Sequence, residues 1–193
     1  MTDQNLDRRV RRTYTLLSTA LIDLTLNEGY DNITIRDITD KADVAYATFF
    51  RHFEDKDDLL HHTLQTLIEA IEGLSYDPPE MYDEGLQIFL HVQQHSDLYR
   101  VLLSSRGAHH IIEKLKYSIA GNMLDSCVPH FKPDMHHVPP ELVTYQFASS
   151  IISMVQWWLD DGMTIPPETM ASHYFSAVVT SYFIIDTQPD VPA

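Results

Sequence analysis

Thr34-Ile35-Arg36-Asp37-Ile38-Thr39-Asp40-Lys41-Ala42-Asp43-Val44-Ala45-Tyr46-Ala47-Thr48-Phe49-Phe50-Arg51-His52-Phe53 is the stretch on which the fold turns. Thr34 stands three residues before Asp37, an acidic variant of the capping box, and this pairing predicts a helix N-terminus at Thr34. That helix runs to about Lys41. Ala42-Asp43-Val44 then makes a tight break, where Asp43 tolerates left-handed backbone better than most residues. A second short helix follows to about Phe53, anchored by Val44, Phe49 and Phe53 and carrying Tyr46, Ala47 and Thr48 near its exposed tip. Two short helices joined by so short a turn form a helix-turn-helix unit. In such a unit the first helix braces across a DNA backbone while the second enters the major groove.

Helical periodicity continues on both sides. Upstream, residues 6–28 carry an apolar stripe at Val10, Tyr14, Leu17, Leu21 and Leu24, and Gly29 suits the left-handed residue that ends a helix. Downstream, a helix starts near Asp55, with Asp57 and Asp58 at the positive end of its dipole, and runs to about Gly73. Asp77-Pro78-Pro79 is a break, helical segments follow at about 80–94, 96–104 and 107–127, and a proline-rich loop occupies 128–140. Pro140 and Glu141 open a long helix to about Asp160, closed by Gly162; Pro166-Pro167-Glu168 open a last one to about Asp186. With only 6 glycines and few alternating β-branched runs, the expectation is an all-α fold of about nine helices. A three-helix headpiece with the helix-turn-helix, expected to bind DNA (8–56), and a larger helical body (57–188), which the family resemblance described below assigns to ligand binding and dimerisation, are expected.

The composition, 44% hydrophobic and 21% charged over 193 residues, is that of a globular protein. One cysteine, Cys127, permits no internal disulfide. No apolar run approaches the roughly 20 residues that span a bilayer, and the polar residues 1–12 carry no secretory signal. A cytoplasmic protein without membrane contact is expected. The net charge of -15 argues against general nucleic-acid affinity. Residues 1–60 carry only -4 of it, however, and Arg8, Arg9, Arg11 and Arg12 concentrate positive charge at one end. A helix N-terminus disfavours cations, so these arginines either meet phosphates or form a solvated face.

Gly29-Tyr30-Asp31-Asn32-Ile33-Thr34-Ile35-Arg36-Asp37-Ile38, then Ala42 to Phe53, then Asp55-Lys56-Asp57-Asp58-Leu59-Leu60 resemble the headpiece of the TetR family of regulators. The family pattern reads Ala-Gly-Val-Ser-x-x-Thr-Leu-Tyr-x-His-Phe, then Lys and Leu-Leu, and the likeness covers about residues 8–60. It implies phosphate contacts from Thr48, His52 and Lys56, base-edge contacts from Tyr46 and Ala47, and an Arg36 able to reach the groove. Phe50 and Arg51 complete the candidate DNA-binding set. The sequence departs from the pattern in three places: Asp43 replaces the turn glycine, Ala45 the capping serine, and Phe50 the phosphate-binding tyrosine. From the residues alone, Arg51 is also readable as a solvated charge, His52 as a packing imidazole and Tyr46 as an exposed aromatic without a role. Further along, Trp157-Trp158-Leu159-Asp160-Asp161-Gly162-Met163 is similar to a Trp-Trp-Leu segment found in a subgroup of the family.

The last two helices are apolar on more than one face, so they are either central or paired with another subunit. The resemblance implies pairing, with Phe147, Ile151, Val155, Trp158, Tyr174 and Val178 at a homodimer interface. It also implies a small-molecule effector among the helices of 80–160, where Phe89, Tyr99, Leu103, Tyr117 and Met123 are candidate pocket residues, although a stripe of this sort is more often plain core. No cofactor is called for. The histidine pairs His91/His95, His109/His110 and His136/His137 raise a metal reading, but no His-Glu-x-x-His motif accompanies them and no metal is expected. Neither a phosphate loop nor a nucleophile elbow is present, so no enzyme is expected. The function that follows is a DNA-binding transcriptional regulator, a homodimeric repressor released from a palindromic double-stranded operator by an effector. The alternative is a co-regulator whose headpiece binds another protein.

Overall fold

The computed structural model describes residues 8–72, 81–104, 108–135 and 137–184. Helix α1 (Arg8–Glu28) leads to α2 (Ile35–Ala42), α3 (Tyr46–Phe49) and α4 (Lys56–Glu72). Then come α5 (Met81–Gln94), α6 (Ser96–Ser104), α7 (His109–Cys127) and α8 (Pro140–Asp160). The last helix, α9, begins as Pro167–Tyr174, widens into a π-turn over Phe175–Val179 and finishes with Thr180–Tyr182. Counted this way, nine helices stand among the described residues, and the fold is all-α. The expected break at Asp77-Pro78-Pro79, the tail from 185 onward and the first two residues of the expected 6–28 helix lie outside the described residues.

The chain divides into two compact units, Met1–Leu67 with Asp97–Ile111, and Ile68–Ser96 with Ile112–Ala193. In α4, Leu59, Leu60 and Leu64 are fully buried and the Thr63 hydroxyl donates to Ser18 Oγ of α1 at 2.9 Å. Most of α4 therefore completes the headpiece core. That core also holds Leu17, Leu21, Ile38 and Phe49, each fully buried. Burying four such side chains is worth roughly 6–12 kcal/mol before entropy is set against it.

In the second unit, aromatic rings lock α5, α8 and α9. Phe89 meets Trp158 edge-on at 5.5 Å and Tyr174 at 6.3 Å, while Phe147 meets Tyr174 at 5.8 Å. Gly85 lets α9 approach: a Cβ there would lie 2.6 Å from Tyr174 Cδ1. The Trp158 indole donates to Ile165 O at 2.8 Å, across a turn in which Gly162 and Met163 both have positive φ.

Two expectations are corrected. Helix α3 ends at Phe49, not near Phe53, because Arg51 and His52 bond back three residues, to Thr48 O and Phe49 O, at 3.2 and 2.9 Å. The tightened turn carries Phe53 inward to 5% exposure. The last helix stops at Tyr182 rather than about Asp186: Phe183 is extended and forms an antiparallel bridge with Phe131. Its ring packs 5.5 Å from both Phe131 and Phe147. Of the residues expected at a subunit interface, Phe147, Ile151, Val155, Trp158, Tyr174 and Val178 are buried in the single chain, Val178 being the most exposed of them at 7%. The large apolar side chains that α8 leaves outward are Leu142 and Trp157, 51% and 54% exposed.

Candidate nucleic-acid interface

The headpiece is organised from its caps. Asp37 N–H donates to Thr34 Oγ at 3.2 Å and Thr34 N–H to Asp37 Oδ2 at 2.8 Å, the reciprocal bonds of a capping box. The Thr34 hydroxyl also donates to this carboxylate at 2.6 Å. These Thr34 bonds, side chain first and backbone second, hold the Asp37 pKa below the ordinary carboxylate value. Asp43 closes α2 in the left-handed conformation, φ 52° and ψ 46°, as its short polar side chain permits. Ala45 sits at the N-cap of α3 without a side-chain bond, which is the consequence of replacing a serine there. Lys41 pairs with Asp23, tying α2 to α1; both partners are substantially exposed, so the pair contributes little to stability.

On this frame α3 presents a row of side chains. Phe49 is fully buried and anchors the helix, while Tyr46 and Phe50 are each 48% exposed. The two exposed rings meet edge-on at 5.2 Å, and the Arg36 guanidinium of α2 lies over Tyr46 at 5.7 Å. Ala47 and Arg51 are exposed and Thr48 is half-buried. The arginines at the start of α1, Arg8, Arg9, Arg11 and Arg12, are likewise exposed and line one open hollow with Thr15. Arg36, Tyr46 and Phe50 are thus brought together.

Two of the candidate residues turn inward. His52 is half-buried, with its ring edge-on to Tyr14 at 5.2 Å. Lys56 Nζ donates to Tyr30 O at 2.7 Å and Ile33 O at 2.9 Å, and lies 4.2 Å from the Tyr30 ring centre. Two of its three donors are therefore committed inside the headpiece. The Tyr30 hydroxyl donates to Asp57; burial first, and this carboxylate second, push its pKa up. Sequence reasoning missed this cluster, since residues 26 and 27 positions apart carry no local signal of contact.

Of the five candidate pocket residues, Tyr99 and Leu103 belong to the first unit and Phe89, Tyr117 and Met123 to the second. Phe89 and Met123 are fully buried. Tyr117 is 68% exposed and rests on Tyr145 at 5.2 Å. His91 and His95 do share a face of α5, ring centres 4.5 Å apart; burial, then the neighbouring His95, lowers the His91 pKa. His136 lies outside the described residues.

Residues 19–63 match the family model for bacterial regulatory proteins of the tetR family, and residues 80–179 match that for a transcriptional regulator C-terminal region. An HTH-type transcriptional regulator of Bacillus subtilis (strain 168), YxbF, is 29% identical over 180 residues; the match covers 89% of this chain and 46% of that protein. The chain thus spans about half the length of this curated relative. TcmR, an HTH-type transcriptional regulator of Streptomyces glaucescens, is 33% identical over 63 residues, 33% of this chain and 28% of its own. Among solved structures, NalD of Pseudomonas aeruginosa, the secondary repressor of the MexAB-OprM multidrug efflux pump, superposes with a TM-score of 0.75 at 20% identity, covering 92% of this chain and 98% of that one. SmeT in complex with triclosan superposes at 0.71 with 11% identity, covering 94% and 97%. At such identities the structural likeness speaks for the fold alone.

Proposed function

The chain belongs to the TetR family of DNA-binding, helix-turn-helix transcriptional regulators, and from that premise we propose that it is a homodimeric repressor released from a palindromic operator by a small-molecule effector. The observation that carries the reading is the juxtaposition on the headpiece of exposed Arg36, Tyr46, Ala47 and Phe50, in an otherwise acidic chain. The exposed arginines of α1 belong to the same unit. Such arginines supply charge to phosphates, while the short α3 supplies side chains to base edges. Two-fold symmetry of the protein would be mirrored in the operator. The outward Leu142 and Trp157 of α8 give a second copy an apolar surface. Effector release rests on analogy with SmeT, which binds triclosan on the same fold.

The test is footprinting of the purified full chain on genomic DNA, with and without a metabolite library, together with sedimentation. A protected palindrome that disappears at higher salt and on adding one metabolite supports the reading. A monomer at micromolar concentration, or a stable complex with another protein and no protected DNA, refutes it and favours the co-regulator.

A further inference from the structure

Two large aromatic side chains stand half in solvent at the end of the headpiece, one opening the short helix α3 and the other closing it. Tyr46 and Phe50 are each 48% exposed, with their rings 5.2 Å apart. Each covers part of the other, and Phe50 leans edge-on against the buried Phe49 at 5.3 Å. The pair is therefore braced from behind, with its outer surface open. Phe50 carries no donor or acceptor, so whatever meets it is read by apolar contact. In a major groove the apolar feature is the C5-methyl of thymine, which Phe is suited to touch. The Arg36 guanidinium lies over the Tyr46 ring at 5.7 Å. This cation–π contact holds near the pair a fork whose donors match O6 and N7 of guanine.

We infer that Arg36, Tyr46 and Phe50 act as one reader for a guanine and a thymine close together in the half-site, Phe50 packing on the thymine methyl and Tyr46 aiming Arg36 at the guanine. The inference rests on the proposed DNA-binding role of the headpiece. It also sets a spacing. The two contacts, 5.7 and 5.2 Å long, together span at most about three base-pair rises of ~3.4 Å. The guanine and the thymine must fall within that distance. A protein surface is the competing partner for exposed aromatics. The favouring observation for DNA is the cation that contacts the same pair, on a short helix whose exposed Ala47 is small.

The test is selection of binding duplexes from a random library by the full chain, followed by replacement of thymine with uracil, which deletes the methyl and leaves the protein untouched. The expected half-site holds a guanine and a thymine within about three base pairs. Uracil at that thymine should weaken the wild type by about fourfold, the worth of one buried carbon, and leave Phe50→Ala unaffected. Arg36→Lys, which keeps the charge and removes the fork, should relax the preference for guanine by about fivefold or more. A selected half-site lacking this pair, or an equal uracil effect in wild type and Phe50→Ala, overturns this inference alone. Failure to enrich any duplex at low salt overturns the DNA-binding reading beneath it.

Discussion

Replacing Lys56 by Met separates the two roles open to this residue. The resemblance places a phosphate contact here; the structure gives its Nζ two backbone acceptors, Tyr30 O at 2.7 Å and Ile33 O at 2.9 Å, and the Tyr30 ring at 4.2 Å. Met keeps most of the apolar stem and removes the charge and all donors. A hydrogen bond to a charged group is worth about 1.5–3 kcal/mol in stability. Lys56 is half-buried, and after discounting for solvent screening the two bonds and the ring contact together come to about 2 kcal/mol. With a urea slope of about 1–3 kcal/mol/M, the headpiece transition should move down by about 1 M. The assay is urea denaturation read in the headpiece, paired with DNA affinity measured at several salt concentrations well below the transition. Lys56→Met should lose stability while the slope of log affinity against log salt stays unchanged. If the urea midpoint stays put and the slope falls by about 0.9, Lys56 spends its charge on a phosphate and the structural assignment is wrong.

Thr34→Ala removes the cap of α2 and should cost about 1 kcal/mol, seen as a lower midpoint in the same urea titration. Because the Thr34 bonds depress the folded pKa of Asp37, its contribution is present above the ordinary carboxylate pKa and disappears as pH falls through the lower, folded one; Asp37→Asn should flatten that acid loss. Gly85→Ala would normally strengthen a helix by about 1 kcal/mol, but its Cβ meets the Tyr174 ring at 2.6 Å. Overpacking of about 1–3 kcal/mol should win, and a more stable variant would show that Tyr174 yields. Trp157→Glu, at a 54% exposed site, should turn a dimer into a monomer with unchanged helix content in sedimentation and circular dichroism. Ile151→Glu should unfold the chain instead, because it buries an unpaired charge. Neutralising two of Arg8, Arg9, Arg11 and Arg12 should weaken binding to all DNA sequences alike and lower the salt slope by about 0.9 for each phosphate left unneutralised; an unchanged slope would make them a solvated face.

Much that depends on near neighbours was legible in the sequence, though the end of α3 was not. The box of Thr34 and Asp37, the left-handed Asp43, the uncapped Ala45 and the start of α8 at Pro140 all appear where the residues predict them, because capping and turn chemistry act over three or four residues. Family-specific spacing within 19–63 did the same for the headpiece. What periodicity could not decide was which apolar face meets which partner. An apolar stripe reports that a side chain must leave water, not whether its own chain or a second copy covers it. Phe147, Ile151 and Val178 are buried in the single chain, while Leu142 and Trp157 stand exposed on α8. Likewise a lysine in a binding motif is a free charge on paper. Only the fold brings Tyr30 and Ile33, 26 and 23 positions away, to within hydrogen-bond reach of Lys56. The sequence determined the elements and the family. Pairings between positions far apart in the chain arise only when the core closes and geometry assigns each donor its acceptor, and these the tertiary structure decided.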